Sequence, residues 1–421
     1  MTTTVQAGSA TEIYRRAFHS LEASLPGANR PAIARLRSSA LASFEQAGFP
    51  GPRNEDWKFT SVTPITRTSF QLPTSDSLPI PNATLPAGVI VCSLAEALQR
   101  HPDLVEPHLG RIASYQHQAF TALNTAFWRE GAFLYVPAGV VVEQPLLLSA
   151  VAEASTQQPT LWYRRVLIVL GRASQARVVE SFTGSEALYM TNAVTEVVLD
   201  EGANLDHYRV QEESLQAYHF SCLQVEQARD SRFSTHYVGL GGSLVRNEVR
   251  VRFQGSNAEA TVNGVYLANG TQHHDTHTVI DHAVPHCSSH ELYKGILDDR
   301  AKGVFNGKIF VRKDAQKTDA KQTNQTLLLS DEATIDTKPQ LEIFADDVKC
   351  THGATVGQLD ERQLFYLRSR GIGLAQARAL LTFAFANDII GRIQVESLRD
   401  RLERALLASS HLPPLAESEE L

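Results

Sequence analysis

The chain has 421 residues, 43% of them hydrophobic and 20% charged, with a net charge of −7. It is too long for one ordinary core, too apolar for wholesale disorder, and too acidic for a nucleic-acid binder held by bulk positive charge. It has no run of 18 apolar residues to suggest a membrane span, no basic-then-apolar start to suggest a secretory signal, and four scattered cysteines (Cys92, Cys222, Cys287 and Cys350), which together predict a cytoplasmic chain with free thiols.

Residues 10 to 47 read as helical. Ile13, Ala17 and Leu21, then Ile33, Leu36, Leu41 and Phe44, recur at helical spacing around a break from Pro26 to Pro31. After Gly48–Pro52 comes the polar stretch Asn54–Thr60. Its Trp57 and Phe59 read as an anchor tying a loop to the body, a docking surface being the other reading. Residues 71–88 carry Pro73, Pro79, Pro81 and Pro86 and read as a linker or irregular loop. A short strand is expected at Val89–Val91, a helix capped by Ser93 after it, and another helix from Ser114 to Trp128.

From about Gly131 the texture changes to short β-rich runs divided by polar or Gly-containing steps. A loose phrase of a turn, a small residue and a strand recurs from Gly171, Glu201, Gln227, Gln254, Asp299 and Asp331. The spacing is about 25 to 32 residues in most steps, with one longer gap, which suggests stacked coils of a β-solenoid. A β-sandwich is the rival, but its turns recur at about 8 to 12 residues. A solenoid needs covered ends, and the helical regions before 131 and after 358 are expected to cover them. The expected division is 1–128 mainly helical, 129–357 solenoid and 358–421 helical with an acidic tail.

The stretch from Phe305 to Arg370 contains Cys350 and His352, two residues apart. On a strand such residues share a face, and thiol and imidazole are good metal ligands. A metal site needs about four ligands, so from spacing alone the pair reads as a small buried Cys beside a hydrogen-bonded His. Asp360 is placed to cap the helix that follows, with Gln363 at its third position and Gly371 after its end. Next, Leu374, Ala377, Leu381, Ala384 and Asp388 form one helical stripe, widened by Leu380, Phe383 and Ile390. This surface suits either a partner or the neighbouring helices 363–370 and 395–407. The tail from Ser409 to Leu421 reads as disordered.

Gly303–Ile309 is one residue short of a phosphate loop, and Ile309 stands where Ser or Thr should hold magnesium. Gly239–Leu244 and Gly371–Gln376 lack the third small residue of a dinucleotide fingerprint. No nucleotide is therefore expected on this chain. The densest donor cluster is His273, His274, Asp275 and His277, then Asp281, His282, His286, Cys287 and His290. Its spacing fits no zinc motif. The expectation is hydrogen bonding between neighbouring coils, with a metal site as the alternative.

A family resemblance rests on longer phrases: 306–311, 315–320, 325–330, 336–343, 345–357 and 363–372, dense between about 255 and 373, with Glu55–Lys58 upstream. Together they resemble the SufB/SufD family of iron–sulfur cluster assembly proteins. The form Cys350–Gly357 is similar to the SufD branch, because SufB has a Glu-containing His-Glu-Ala phrase there. The resemblance implies a right-handed parallel β-helix flanked by helical regions. It also implies a scaffold that is not itself an enzyme, pairing with SufB through the β-helix and docking the ATPase SufC on its C-terminal helices. For that docking, Leu380, Phe383 and Phe385 are the expected contacts. A homodimer is possible for the isolated chain. The family associates the nascent iron–sulfur cluster with the SufB–SufD interface and implies His352 as this chain's ligand for iron, with Cys350 beside it. Whether a flavin binds the complex is not readable. An autonomous β-helix metalloenzyme using the His273–His290 cluster is the alternative function.

Overall fold

The computed structural model describes residues 10–73, 84–154 and 157–409. Part of the 71–88 loop and the acidic tail beyond 409 lie outside the described residues. The N-terminal part holds α1 (Ala10–Leu21), α2 (Pro31–Ala47), α3 (Thr63–Arg67), β1 (Ile90–Ser93), α4 (Leu94–Arg100), α5 (Pro102–Val105) and α6 (Ala119–Phe127). Pro31 opens α2, where its missing N–H costs nothing, and Gly48 closes it at φ 66°. Ser93 caps α4 as expected, its hydroxyl accepting the Glu96 N–H at 3.1 Å. α6 starts later than the Ser114 expected, because His117 takes a left-handed φ of 59° that a helix cannot include.

Sixteen strands then alternate between two sheets. They are β2 (Glu130–Val136), β3 (Leu146–Ala152), β4 (Thr160–Leu170), β5 (Gln175–Gly184), β6 (Tyr189–Leu199), β7 (Asn204–Glu212), β8 (Tyr218–Gln227) and β9 (Arg232–Gly239). They continue as β10 (Leu244–Phe253), β11 (Glu259–Ala268), β12 (His273–His282), β13 (Ser288–Leu297), β14 (Lys302–Val311), β15 (Asp319–Leu328), β16 (Thr334–Ile343) and β17 (Lys349–Gly357). Even-numbered strands form one sheet with β1 at its edge, and odd-numbered strands from β3 form the other. All pairs among β2–β17 are parallel. This is a parallel β-solenoid of about seven turns, and the sandwich is excluded. Register partners lie 26 residues apart from Tyr218 to Leu244, 29 from Leu244 to His273 and 32 from Lys302 to Thr334.

Four of the six recurring phrases, those from Gly171, Glu201, Gln227 and Gln254, share one corner, where an even-numbered strand leads into an odd-numbered one, whereas Asp299 and Asp331 lie at the opposite corner. Ala173, Asp230, Asn257, His286 and Lys317 take φ between 54° and 62°, and Gly202 takes 66°. Each is followed by a small buried residue: Ser174, Ser231, Ala258, Cys287, Thr318 and Ala203. The hydroxyls bond within their own turn, as Ser174 to Gly171 O at 2.7 Å and Ser231 to Ala228 O at 2.6 Å. His286-Cys287 fills the longer gap in the sequence pattern, so Cys287 is a corner filler.

The solenoid interior mixes apolar residues such as Val178, Leu205, Val225, Phe253 and Val262 with buried polar groups, among them Glu180, which accepts from Arg209 Nε at 3.0 Å and lies 2.9 Å from His207 Nε2. The helical regions do not cover the ends of the solenoid as expected. The N-terminal helices pack on the outer face of the even-numbered sheet, against Phe133, Leu161, Leu167, Met190 and Phe220. At the first edge of that sheet, among the described residues, β1 lies antiparallel to β2, and Gln71 bridges Thr160 at the start of β4. After β17 the chain forms α7 (Glu361–Ser369), α8 (Leu374–Ile390) and α9 (Glu396–Ser409). α8 and α9 run back along the flank, placing Ile389, Ile390, Leu398 and Leu402 on Val210, Val238, Val265 and Ile296 of the odd-numbered sheet. The outward faces of those strands are apolar, and flank packing takes them out of water. Among the described residues, β16 and β17 are therefore the last strands of their sheets, each with one unpaired edge.

Candidate functional site

The histidine-rich stretch is divided by strand alternation. On β12, His273, Asp275 and His277 face outward, and His274 and His282 face the interior. His286 lies in a corner, and His290 is exposed on β13. His273 and Asp275 grip the 54–60 segment, and His277 lies 3.0 Å from Asp275 behind them. Thr60 Oγ1 donates to Asp275 Oδ2 at 2.6 Å and lies 2.9 Å from His273 Nε2. Arg246 of the neighbouring coil donates to Asp275 Oδ2 at 2.7 Å and to Asp56 O at 2.9 Å, and its guanidinium lies 3.9 Å from the Trp57 ring centroid. Trp57 also stacks on Phe220, with centroids 6.0 Å apart. Burial opposes ionisation of Asp275, but His277 and Arg246 hold its carboxyl well below the usual range. Burial lowers His274 to about 3 and His282 to about 4, so both are neutral interior groups. Trp57 is thus an anchor, and the cluster bonds between coils. No group of three or more donors able to hold a metal is gathered among the described residues.

Cys350 and His352 sit together on β17. Cys350 is in register with Ala320 and His352 with Gln322, both buried interior residues of β15, so the pair belongs to the inward face of the last coil. Cys350 packs against the cluster of Ile309, Val311, Ala315 and Ala320. Burial pushes its thiol up, and the Asp319 carboxylate adds to this. His352 is exposed, because no further coil lies over it. The two side chains present one sulfur and one imidazole to the open end. On one strand they stand about 6 to 7 Å apart at the backbone, too far for a nucleophile–base pair yet suited to adjacent positions around shared iron. Lys349 N bonds Thr318 O at 2.8 Å. By alternation the backbone N–H groups of Cys350, His352, Ala354 and Val356 point to the unpaired side. On β16, Thr334 N bonds Ala301 O at 3.0 Å, which by the same alternation puts Pro339 at a position facing the unpaired side.

Beneath this coil lie two polar residues that sequence reasoning missed, Glu291 and Gln322. Gln322 Nε2 donates to Glu291 Oε2 at 2.8 Å. Burial pushes the Glu291 carboxyl up to about 7, against the opposing effect of Thr278 and Gln322. Their signal is a Glu and a Gln at inward positions of otherwise alternating strands, readable only once the register is known.

On the C-terminal helices, Asp360 caps α7 as expected, accepting the Arg362 N–H at 2.8 Å, and Gly371 follows at φ 85°. Phe383 and Phe385 are half-buried against the sheet cluster, with Lys294 Nζ 4.4 Å from the Phe385 ring centroid. Leu380 is half-buried. The buried side of α8 is Ala377, Ala379, Thr382, Ala386, Ile389 and Ile390, so of the stripe read from spacing Ala377 is buried while Leu374, Ala384 and Asp388 are exposed. The most exposed large apolar residues here are Phe365 at 74%, Tyr366 at 58% and Leu374 at 49%.

Fold and site together define a parallel β-solenoid protein with helices on both flanks and an incomplete soft-ligand set on an uncovered last coil. Residues 151–385 match the family described as SUF system FeS cluster assembly, SufBD core domain, and residues 76–148 match the SufBD protein N-terminal region. The chain belongs to the SufB/SufD family of iron–sulfur cluster assembly proteins. The iron–sulfur cluster assembly protein SufD of Escherichia coli (strain K12) is 30% identical over 379 residues, covering 86% of this chain and 89% of its own length. A SufBD family protein of Synechocystis is 29% identical, with 91% and 93% covered, and SufD of Bacillus subtilis is 29% identical, with 75% and 72% covered.

Proposed function

We propose that this chain is a SufD-type scaffold subunit of an iron–sulfur assembly complex, without turnover of its own. It pairs with SufB through the open end of the solenoid and carries the ATPase SufC on its C-terminal helices. The observation that carries the reading is the last coil: an unpaired β17 edge with exposed His352 and half-buried Cys350 on its inward face. A strand edge with unpaired N–H groups invites strand addition by a partner. Iron or the nascent cluster is cargo at that junction. His352 supplies one imidazole, and the thiolates this chain lacks come from SufB. Cys350 is the lesser ligand, because burial keeps its thiol protonated. Phe365, Tyr366 and Leu374, with Leu380 beside them in sequence on α8, form the SufC docking surface. Phe383 and Phe385 already spend much of their surface on their own sheet.

The test is complementation in cells, paired with iron and sulfide content of the purified complex. His352→Ala should leave the complex assembled and sharply lower its iron, with Cys350→Ala milder. Full complementation with normal iron would remove His352 from the mechanism. Loss of the complex itself would show a structural role instead.

A further inference from the structure

One interior column runs to the candidate site. Val262, Glu291, Gln322 and His352 are register partners on β11, β13, β15 and β17. The same column runs back from Val262 through Thr235 and His207 to Val178, and polar residues return after Val262 with Glu291 and Gln322. Glu291 is 3% and Gln322 1% exposed. The amide of Gln322 lies across the interior over Gly307 of β14, where a Cβ would come within 2.7 Å of Gln322 Cδ. A side chain at 307 would therefore expel the amide. Gln322 Nε2 donates to Glu291 Oε2 at 2.8 Å, and the ionised carboxylate, which can only accept, holds the NH2 of Gln322 toward it. That fixes the sense of the amide and leaves Gln322 Oε1 buried with no partner. A buried carbonyl oxygen without a donor costs stability unless something uses it. The next side chain in the column is His352.

We propose that Gln322 is the positioning residue for His352. When the imidazole holds iron through one nitrogen, its other N–H donates to Gln322 Oε1, and Glu291 holds the amide in the sense that allows this. A metal-bound histidine is ordinarily oriented through its second nitrogen in this way. The inference rests on the reading of His352 as a cargo ligand.

The test uses the full chain in its complex with SufB and SufC, loaded with ferrous iron and challenged with increasing ferrous chelator. The quantity read is the chelator concentration that removes half of the iron. Gln322→Leu should lower it by about 10-fold, the lower end of the usual cost of losing such a partner. In a His352→Ala background the same substitution should change nothing further, since a positioning residue has nothing left to position. Glu291→Gln keeps volume and shape but no longer fixes the amide, and should give a smaller loss with the same dependence on His352. It decides the matter if Gln322→Leu does not assemble. Iron held as in the parent by both variants, or lost equally in the His352→Ala background, would overturn the positioning role alone. Normal iron retention by His352→Ala itself would overturn the cargo-site reading and this inference with it.

Discussion

Glu291 shows what one buried carboxyl does to a solenoid interior. Its pKa in the folded chain is pushed up to about 7, above the ordinary 4.5, with burial the largest cause. Between those values the folded chain holds a proton that the unfolded chain has released. Its contribution to stability is therefore fully present below about pH 4.5 and is lost as pH rises through about 7. Glu291→Gln removes that loss. The variant should be more stable than the parent at pH 8, by up to about 3 kcal/mol, with no gain at pH 4.5. Thermal melts at the two pH values check this, and an equal shift at both would refute it. Elsewhere the interior places large rings over glycines: a Cβ at Gly264 would run into the Tyr293 ring, and one at Gly295 would lie 2.6 Å from Tyr266 Oη. Gly→Ala at either position therefore has no room.

At the scale of elements, the two strands of the last coil are not equivalent. Pro339 stands where β16 faces the unpaired side, so its missing N–H costs no ladder bond and blunts that edge. β17 has no such guard, and its open side carries the N–H of Ala354. Ala354→Pro should leave the solenoid folded, because the lost donor is not used within the chain, yet weaken association with SufB if the partner adds a strand there. Unchanged co-purification with SufB would place the contact elsewhere. The element α7 buries only Leu364 and exposes Phe365 and Tyr366. A buried aromatic anchor is worth about 2 kcal/mol, or roughly 30-fold in affinity. Phe365→Asp should cut SufC binding by about that factor with little change in melting temperature, as measured by titration of the purified chain. Phe383→Asp, on a helix face already packed against the sheet, should instead lower the melting temperature.

At the scale of the whole molecule, a solenoid is held by neighbour-to-neighbour contact, so its repeat is written locally and its ends are not. The corner phrase was legible from Gly171 onward because a left-handed turn followed by a small residue recurs once per coil. The members at His286-Cys287 and Lys317-Thr318 were hidden, the first because Cys there does the work of Ser or Ala, and Asp299 and Asp331 belong to the opposite corner. Caps at Ser93 and Asp360 were legible because a cap acts within three residues. The sequence by itself also determined that Cys350 and His352 share a face, since strand alternation needs no partner to operate. Which face that is, interior or surface, depends on the register of β17 against β15. That register is set by strands some thirty residues away, and with it come Gln322 and Glu291 beneath the pair. Likewise, amphipathic spacing marked α8 as a packed helix but not its partner. Only the tertiary structure laid α8 and α9 along the flank and left the last coil uncovered among the described residues, because the apolar outer face of the odd-numbered sheet and the apolar residues of both helices leave water together when they pack.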